Sequence, residues 1–239
     1  TTNMNRLPVP TWNQCGVNAA PEAAALPELS SNDWGEASFA VTLPAGVGES
    51  EEEFTAFAES GMGAETDAFL QENATVRHAL TVAEGVQVEQ PAVFDFTLDA
   101  GHPNALSLLD VEAKANSSLT VVQVVRGDAE NGISAGLVRI RAAEGAHVKL
   151  VQVQMLGGHA RHWGAAALEE STCAKVEQVR IVLGGAVAAC GARAMLDHAK
   201  AEYDLDAVYF GGQDAVLDFN DVSVHTAKDT LYEMHTAGV

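Results

Sequence analysis

The sequence predicts a mainly β protein. Its core is a parallel β-solenoid, or β-helix, over residues 75–239, preceded over 1–74 by an arm and short helices. Three observations predict this. From Thr75 onward the chain is a series of short Val-rich, partly alternating runs such as "SLTVVQVVRG", "HVKLVQVQMLGG" and "AKVEQVRIVLGG". Runs of this kind, broken by Gly, Asn and Asp, read as strands between turns. Glycine pairs at 157–158, 184–185 and 211–212, and a single glycine at 238, fall at steps of 27 residues, and each pair closes a strand-like run. A fixed period is the mark of stacked repeats. No amphipathic helical pattern of about 10–15 residues separates the runs, which argues against a doubly wound α/β fold.

Taken in order, residues 1–48 are rich in Pro, Ala and Asn with little periodicity, and read as an extended or irregular arm. Residues 49–73 look helical. "SEEEFTAFAE" places acidic residues in a first turn behind Ser50 as N-cap, with Phe54 and Phe57 on one face. Gly61 and Gly63 interrupt, and "AETDAFLQ" reads as a second short helix. In the solenoid, positions one period apart should stack about 4.8 Å from each other. The columns Trp163/Cys190/Leu217, Ala165/Ala192/Phe219 and Leu168/Met195/Val222 are apolar and expected to face inward. The column Ala166/Arg193/Asn220 is more polar and expected outward. Val176, Val179 and Ile181 break the parity of Val151 and Val153, which implies a bulge or slip in that coil. "DAENGISAG" reads as a loop insertion.

Composition sets outer bounds on function. The chain has 239 residues, 47% of them hydrophobic, enough for one large domain or two small ones. Thirteen Lys and Arg stand against 33 Asp and Glu, a net charge of −20. Nucleic-acid backbones and anionic membranes need clustered basic residues, so neither is an expected partner. No apolar run reaches about 18 residues, so no membrane-spanning helix is expected. "TTNMNRLPVPTWNQCGVN" lacks the basic-then-apolar pattern of a secretory signal. Cys15, Cys173 and Cys190 are odd in number, far apart and outside any CxxC pattern, which favours a reduced, cytoplasmic setting.

Candidate site residues are few. His159 and His162 stand three apart in "GGHARHW". Their flanks are a strand and glycines rather than a helix, so they read as turn or surface residues. His198 and His225 fall 27 residues apart. On adjacent coils they could stack and share a metal with Asp197 or Asp218, since a bound metal needs three or four convergent donors. Cys190 reads as a buried, inert thiol, because apolar burial raises a thiol pKa. Cys173 shares its column with Lys200 and reads as a turn or exposed residue, which makes it the better reactive thiol. Cys15, in the arm, reads as structural or incidental. The metal candidates are thus His198, His225 and Cys173. With no GxSxG, P-loop or GxGxxG present, no catalytic residue is assigned.

These segments also carry a resemblance. "NRLPVPTWNQCGVN", "DAFLQEN…TVAEGVQV", "AEGAHVKLVQVQMLGGHARHW", "VRIVLGG" and "VYFGGQDAVLDFNDVSVHTAKDTLYEMHTAGV" together resemble the SufB/SufD family of iron–sulfur cluster assembly proteins over nearly the whole chain. The opening "LPVPTW" is similar to the SufD side of that family. The resemblance implies a right-handed parallel β-helix and a cytoplasmic, non-catalytic scaffold that pairs with SufB-like and SufC-like partners, or with itself through the solenoid end. ATP hydrolysis would belong to the SufC-like partner, and an iron–sulfur cluster would be held only in a complex. Departures follow the retained His225: Lys228, Tyr232 and Ala237 stand where the family has proline, serine and lysine. The family's C-terminal region is expected to be absent after Val239, so its cluster-site residues do not carry over. The alternatives are a β-helix carbohydrate-active enzyme, which would need paired carboxylates on one face, and a ligand-free structural solenoid.

Overall fold

The computed structural model describes residues 4–7, 9, 13–15, 18–26, 34–50 and 52–239. Part of the "LPVPTW" segment, Pro8 and 10–12, therefore lies outside the described residues. The chain forms β1 (Ser38–Thr42), β2 (Val47–Ser50), α1 (Ala64–Asn73), β3 (Val76–Val82), β4 (Ala92–Leu98), β5 (Asn104–Ala113) and β6 (Ser118–Gly127). It continues with β7 (Ile133–Ala142), β8 (His147–Leu156), β9 (Arg161–Glu170), β10 (Lys175–Leu183), β11 (Val187–Leu196), β12 (Glu202–Phe210), β13 (Val216–His225) and β14 (Leu231–Gly238). Sheet A runs β1-β4-β6-β8-β10-β12-β14 and sheet B runs β13-β11-β9-β7-β5-β3-β2. From β3 onward all pairing is parallel. Each coil contributes one strand to each sheet, so the fold is a parallel β-solenoid of about six coils.

The coil is mostly longer than the 27-residue period and is not constant. In sheet A, Ala92 lies opposite Val121 and Ser118 opposite His147, steps of 29. His147 lies opposite Lys175 and Lys175 opposite Glu202, steps of 28 and 27. In sheet B the step is 26 from Arg161 to Val187 and 29 from Val187 to Val216. Ladder bonds hold the strands in register while the corners absorb added or deleted residues. Columns counted at 27 therefore slip. Cys190 lies opposite Gly164 and Phe219, not Trp163 and Leu217. A slip of one residue changes the face: Cys190 points into the solenoid and Trp163 out of it. The expected bulge at Val176–Ile181 is absent, since Val179 and Ile181 lie opposite Val151 and Val153. Of the "DAENGISAG" loop, Ile133–Gly136 is already β7.

The glycine pairs are corners, as expected. Gly184 has φ +112, and a Cβ there would stand 2.5 Å from the Leu156 carbonyl oxygen. The opposite corner repeats a left-handed residue in each coil: Asn116, Gly145, Cys173, Lys200 and Asp229 have φ between +56 and +65. Their amides hand on from coil to coil, Gly145 N–H to Thr172 O and Cys173 N–H to Ala199 O. Glycine and asparagine take this conformation readily; cysteine and lysine do so at a cost.

Two antiparallel strands cover the N-terminal end. β1 adds to β4 and β2 to β3, so the arm holds strands where none was expected. The helix expected at "SEEEFTAFAE" does not form. Ser50 ends β2, its hydroxyl accepts from Glu52 N–H, and 52–63 runs as an extended strap over sheet B. Distant carboxylates take the strap's amides: Phe54 N–H donates to Asp110 at 2.7 Å and Ala58 N–H to Glu169 at 3.2 Å. Asp110 is also paired twice with the buried Arg139, at 2.6 and 2.7 Å. The second short helix does form, as α1.

The core has two layers. One fills the solenoid, with Phe94, Leu109, Ile140, Leu150, Leu168 and Tyr203. The other lies outside sheet B, where Phe69 and Leu70 of α1 and Met4, Ala24 and Trp34 of the arm meet Leu108, Leu137 and Trp163. Trp163 is wholly buried there and its indole N–H donates to Ala24 O at 2.8 Å.

Candidate functional site

Parity places polar side chains inside the solenoid. In β6, β8, β10 and β12 the residues alternate in and out, and Gln123, Gln152, Gln154, Gln178, Arg180 and Tyr203 take inward positions. A buried amide left without a partner costs about 1–3 kcal/mol, and these satisfy one another along the axis. Gln152 donates to Gln123 at 3.0 Å, Gln178 to Gln152 at 2.8 Å, and the Tyr203 hydroxyl to Gln178 at 2.7 Å. The seam thus crosses four coils. A cavity of about 30 Å³, room for about one water, opens between Gln123, Gln152, Gln154, His162, Arg180 and Cys190. A second, of about 20 Å³, shares Gln123, Gln152 and His162 and reaches Ser134.

Sheet B supplies the other wall. His162 enters from β9, with its Nδ1 3.0 Å from Ser134 Oγ. Burial and then the nearby Arg180 hold its pKa down, at about 4, so the imidazole is neutral at pH 7. Cys190 enters from β11. Burial pushes its thiol up to about 11, against the lowering pull of Arg180, so no thiolate stands here at pH 7. Arg180 is opposed by burial, but Asp221 keeps it charged through two bonds of 2.8 and 3.0 Å. Glu170 also points inward. Among the described residues neither of its carboxylate oxygens has a partner, and burial raises its pKa well above the ordinary range. The arrangement can hold a small polar species in a buried seam with room for about one water.

The residues singled out from the sequence do not converge. His159 is an exposed corner residue, as expected, with its Nδ1 2.7 Å from Asp128 Oδ2. His162 is the correction: it is an inward strand residue, not a turn or surface one. His198 is exposed in the corner after β11. His225 ends β13 opposite Leu196, so the 29-residue step removes the expected stack on His198. The His225 ring meets Thr230 at 2.7 Å and Ser223 at 3.1 Å instead. Asp197 accepts from the Thr226 hydroxyl, and Asp218 from Asn5. Cys173 is exposed at a left-handed corner, Cys15 is exposed and Cys190 is buried. Among the described residues no three His, Cys, Asp or Glu side chains are grouped to hold a metal ion. The glutamine seam went unread in the sequence, although its signal is there: "VVQVV", "LVQVQ" and "VEQVR" each put glutamine on the buried parity of a Val-rich strand.

The family model described as "SUF system FeS cluster assembly, SufBD core domain" matches residues 96–239. That range contains the whole seam. No curated protein matches the chain.

Proposed function

The chain belongs to the SufBD core family of the SUF iron–sulfur cluster assembly system, and on that premise we propose that it is a non-catalytic, SufD-like scaffold component. The observation that carries this is the family match over 96–239, which coincides with the solenoid coils from β4 to β14. In this reading it works beside a SufB-like chain and a SufC-like ATPase in the cytoplasm, and the ATPase supplies the hydrolysis. No helix among the described residues is long and apolar enough to cross a membrane.

A cluster would be cargo held in the complex, with ligands shared between chains. The scattered donors support this: Cys15 and Cys173 lie exposed in different parts of the chain, and Cys190 sits inside with a raised pKa. His198, His225 and Cys173 remain the residues of this chain proposed as contributors.

The test is anaerobic co-expression with a SufB-like chain and a SufC-like ATPase, followed by co-purification and iron and acid-labile sulfide analysis. A stable complex that carries iron and sulfide, with no iron on the isolated chain, is the expected result. A monomer that binds neither partner and cleaves glycans would sink the proposal.

A further inference from the structure

Among the described residues nothing covers the outer face of sheet A, and the part of that face that crosses β6, β8, β10 and β12 carries an apolar patch. Val122, Val151 and Val179 stand opposite one another in β6, β8 and β10. Two residues further along, Val124, Val153, Ile181 and Val208 form a second outward column. Beyond it lie Met155 and, opposite each other, Leu183 and Phe210. Exposure rises along the patch: Met155 is 41% exposed, Leu183 42%, Val208 45% and Phe210 56%. Scattered apolar residues on a surface need no explanation, but a contiguous apolar face does.

The patch has a shape. Alternate residues of a strand are about 6.6–6.8 Å apart and neighbouring strands about 4.8 Å apart. Three columns therefore make a strip about 13 Å wide that crosses the strands. An α-helix with its side chains is about 10–12 Å across, and this chain already covers sheet B with a helix.

The patch also has a charged border. On one flank, in β8, β10, β12 and β14, Lys149 and Lys175 stand among Glu177, Glu202, Asp204, Asp206 and Glu233. Lys175 is taken up by Asp204 at 2.6 Å, which leaves the flank acidic. With the whole chain at −20, a second copy would meet like charge. A cationic partner would meet opposite charge, which steers and aligns docking.

We propose that the outer face of sheet A docks a basic amphipathic helix of another protein, its apolar side on Val153, Ile181, Val208 and Phe210 and its lysines or arginines along the Asp206–Glu233 flank. The inference does not depend on the iron–sulfur reading. It is tested by fluorescence anisotropy of a labelled Leu/Lys amphipathic helical peptide against the full chain at about 0.15 M salt. A Leu/Glu peptide of the same pattern is the charge control.

The Leu/Lys peptide should bind and the Leu/Glu peptide should not. Ile181→Ser with Phe210→Ser should weaken binding at least tenfold, whereas Glu84→Gln with Glu144→Gln, two exposed corner charges, should leave it unchanged. The wild-type chain gives a readout free of mutation: the peptide should protect Met155 from peroxide oxidation and leave Met234, which is 45% exposed on the inward parity of the last strand, unprotected. Peptide binding that ignores both serines and fails to protect Met155 would overturn the proposal. So would self-association of the chain that Ile181→Ser abolishes, because the face would then belong to a second copy.

Discussion

Sheets A and B are wound from the same coils, yet their outer faces are finished differently. On sheet B the outward residues Leu106, Ala135, Trp163 and Ala189 stand opposite one another and are all buried, under α1, the arm and the strap. On sheet A the outward Val122, Val151 and Val179 stand just as regularly and are only half-buried. The difference lies in what lies on top, not in the ladder. It also shows in texture. A strand buried on both faces reads as a continuous apolar run, and a strand buried on one face alternates. β11, "VAACGARAML", is the first kind, and β10, "KVEQVRIVL", is the second.

The largest expected effect tests the cover on sheet B. Trp163→Ala removes a fully buried indole and its bond to Ala24, and should cost about 3–5 kcal/mol, read by urea denaturation. A loss under about 1 kcal/mol would mean that the outer layer contributes little and the two faces are equivalent.

Next comes the interior, which both sheets share and which serves as the control. His162 has a pKa of about 4 in the fold against 6.5 free. At pH 7 it is neutral in the fold and mostly neutral in the unfolded chain, so it costs little there. Between pH 6.5 and 4 the unfolded chain gains a proton that the folded one refuses, so stability falls as pH drops, by about 3 kcal/mol in full. In His162→Gln that part of the pH dependence should vanish, and a slope unchanged from wild type would contradict the enclosed imidazole. The sheet A variant Val151→Thr should keep the wild-type slope.

The strap gives a smaller effect. Gly61 lies so close to sheet B that a Cβ would stand 2.4 Å from Ala192 N and 2.5 Å from Asn220 O. Both are backbone atoms, so Gly61→Ala must lift the strap, at about 1–3 kcal/mol. Faster proteolytic cutting within 52–63, with the solenoid left intact, is the expected sign. No change in either measurement would show that the strap does not press on the sheet.

How far the sequence discloses all this depends on the range of the forces involved. Corners are legible because glycine pairs answer a local backbone need. Coil length is not, because register is held by ladder bonds between coils while each corner varies in length, and so His198 and His225 fall out of step. The strap is illegible for a similar reason. Its local signals favour a helix, but Asp110 and Glu169, 56 and 111 residues away, take its amides. The interior glutamines were legible in principle, since parity alone puts them inside. What they surround was not, since Arg180 and Asp221 meet only across the two sheets.

The sharpest test of the comparison uses one substitution on both faces. Val187 points outward from sheet B and is 6% exposed in the outer core layer. Val151 points outward from sheet A and is half-buried. Valine to threonine keeps the shape and the strand preference, so the added hydroxyl is the main change. At Val187 it is shut away among apolar groups and should cost about 1–3 kcal/mol. At Val151 it meets water, and the change should stay within about 0.5 kcal/mol. A gap of about 1 kcal/mol or more between the two variants, measured under identical denaturant conditions, means that only one face is closed in the isolated chain. Equal losses would mean that sheet A is covered as well, and the docking of a basic helix there would lose its basis. If the gap closes only when the Leu/Lys peptide is added, because Val151→Thr then weakens the complex, the bare face and its occupant are identified together.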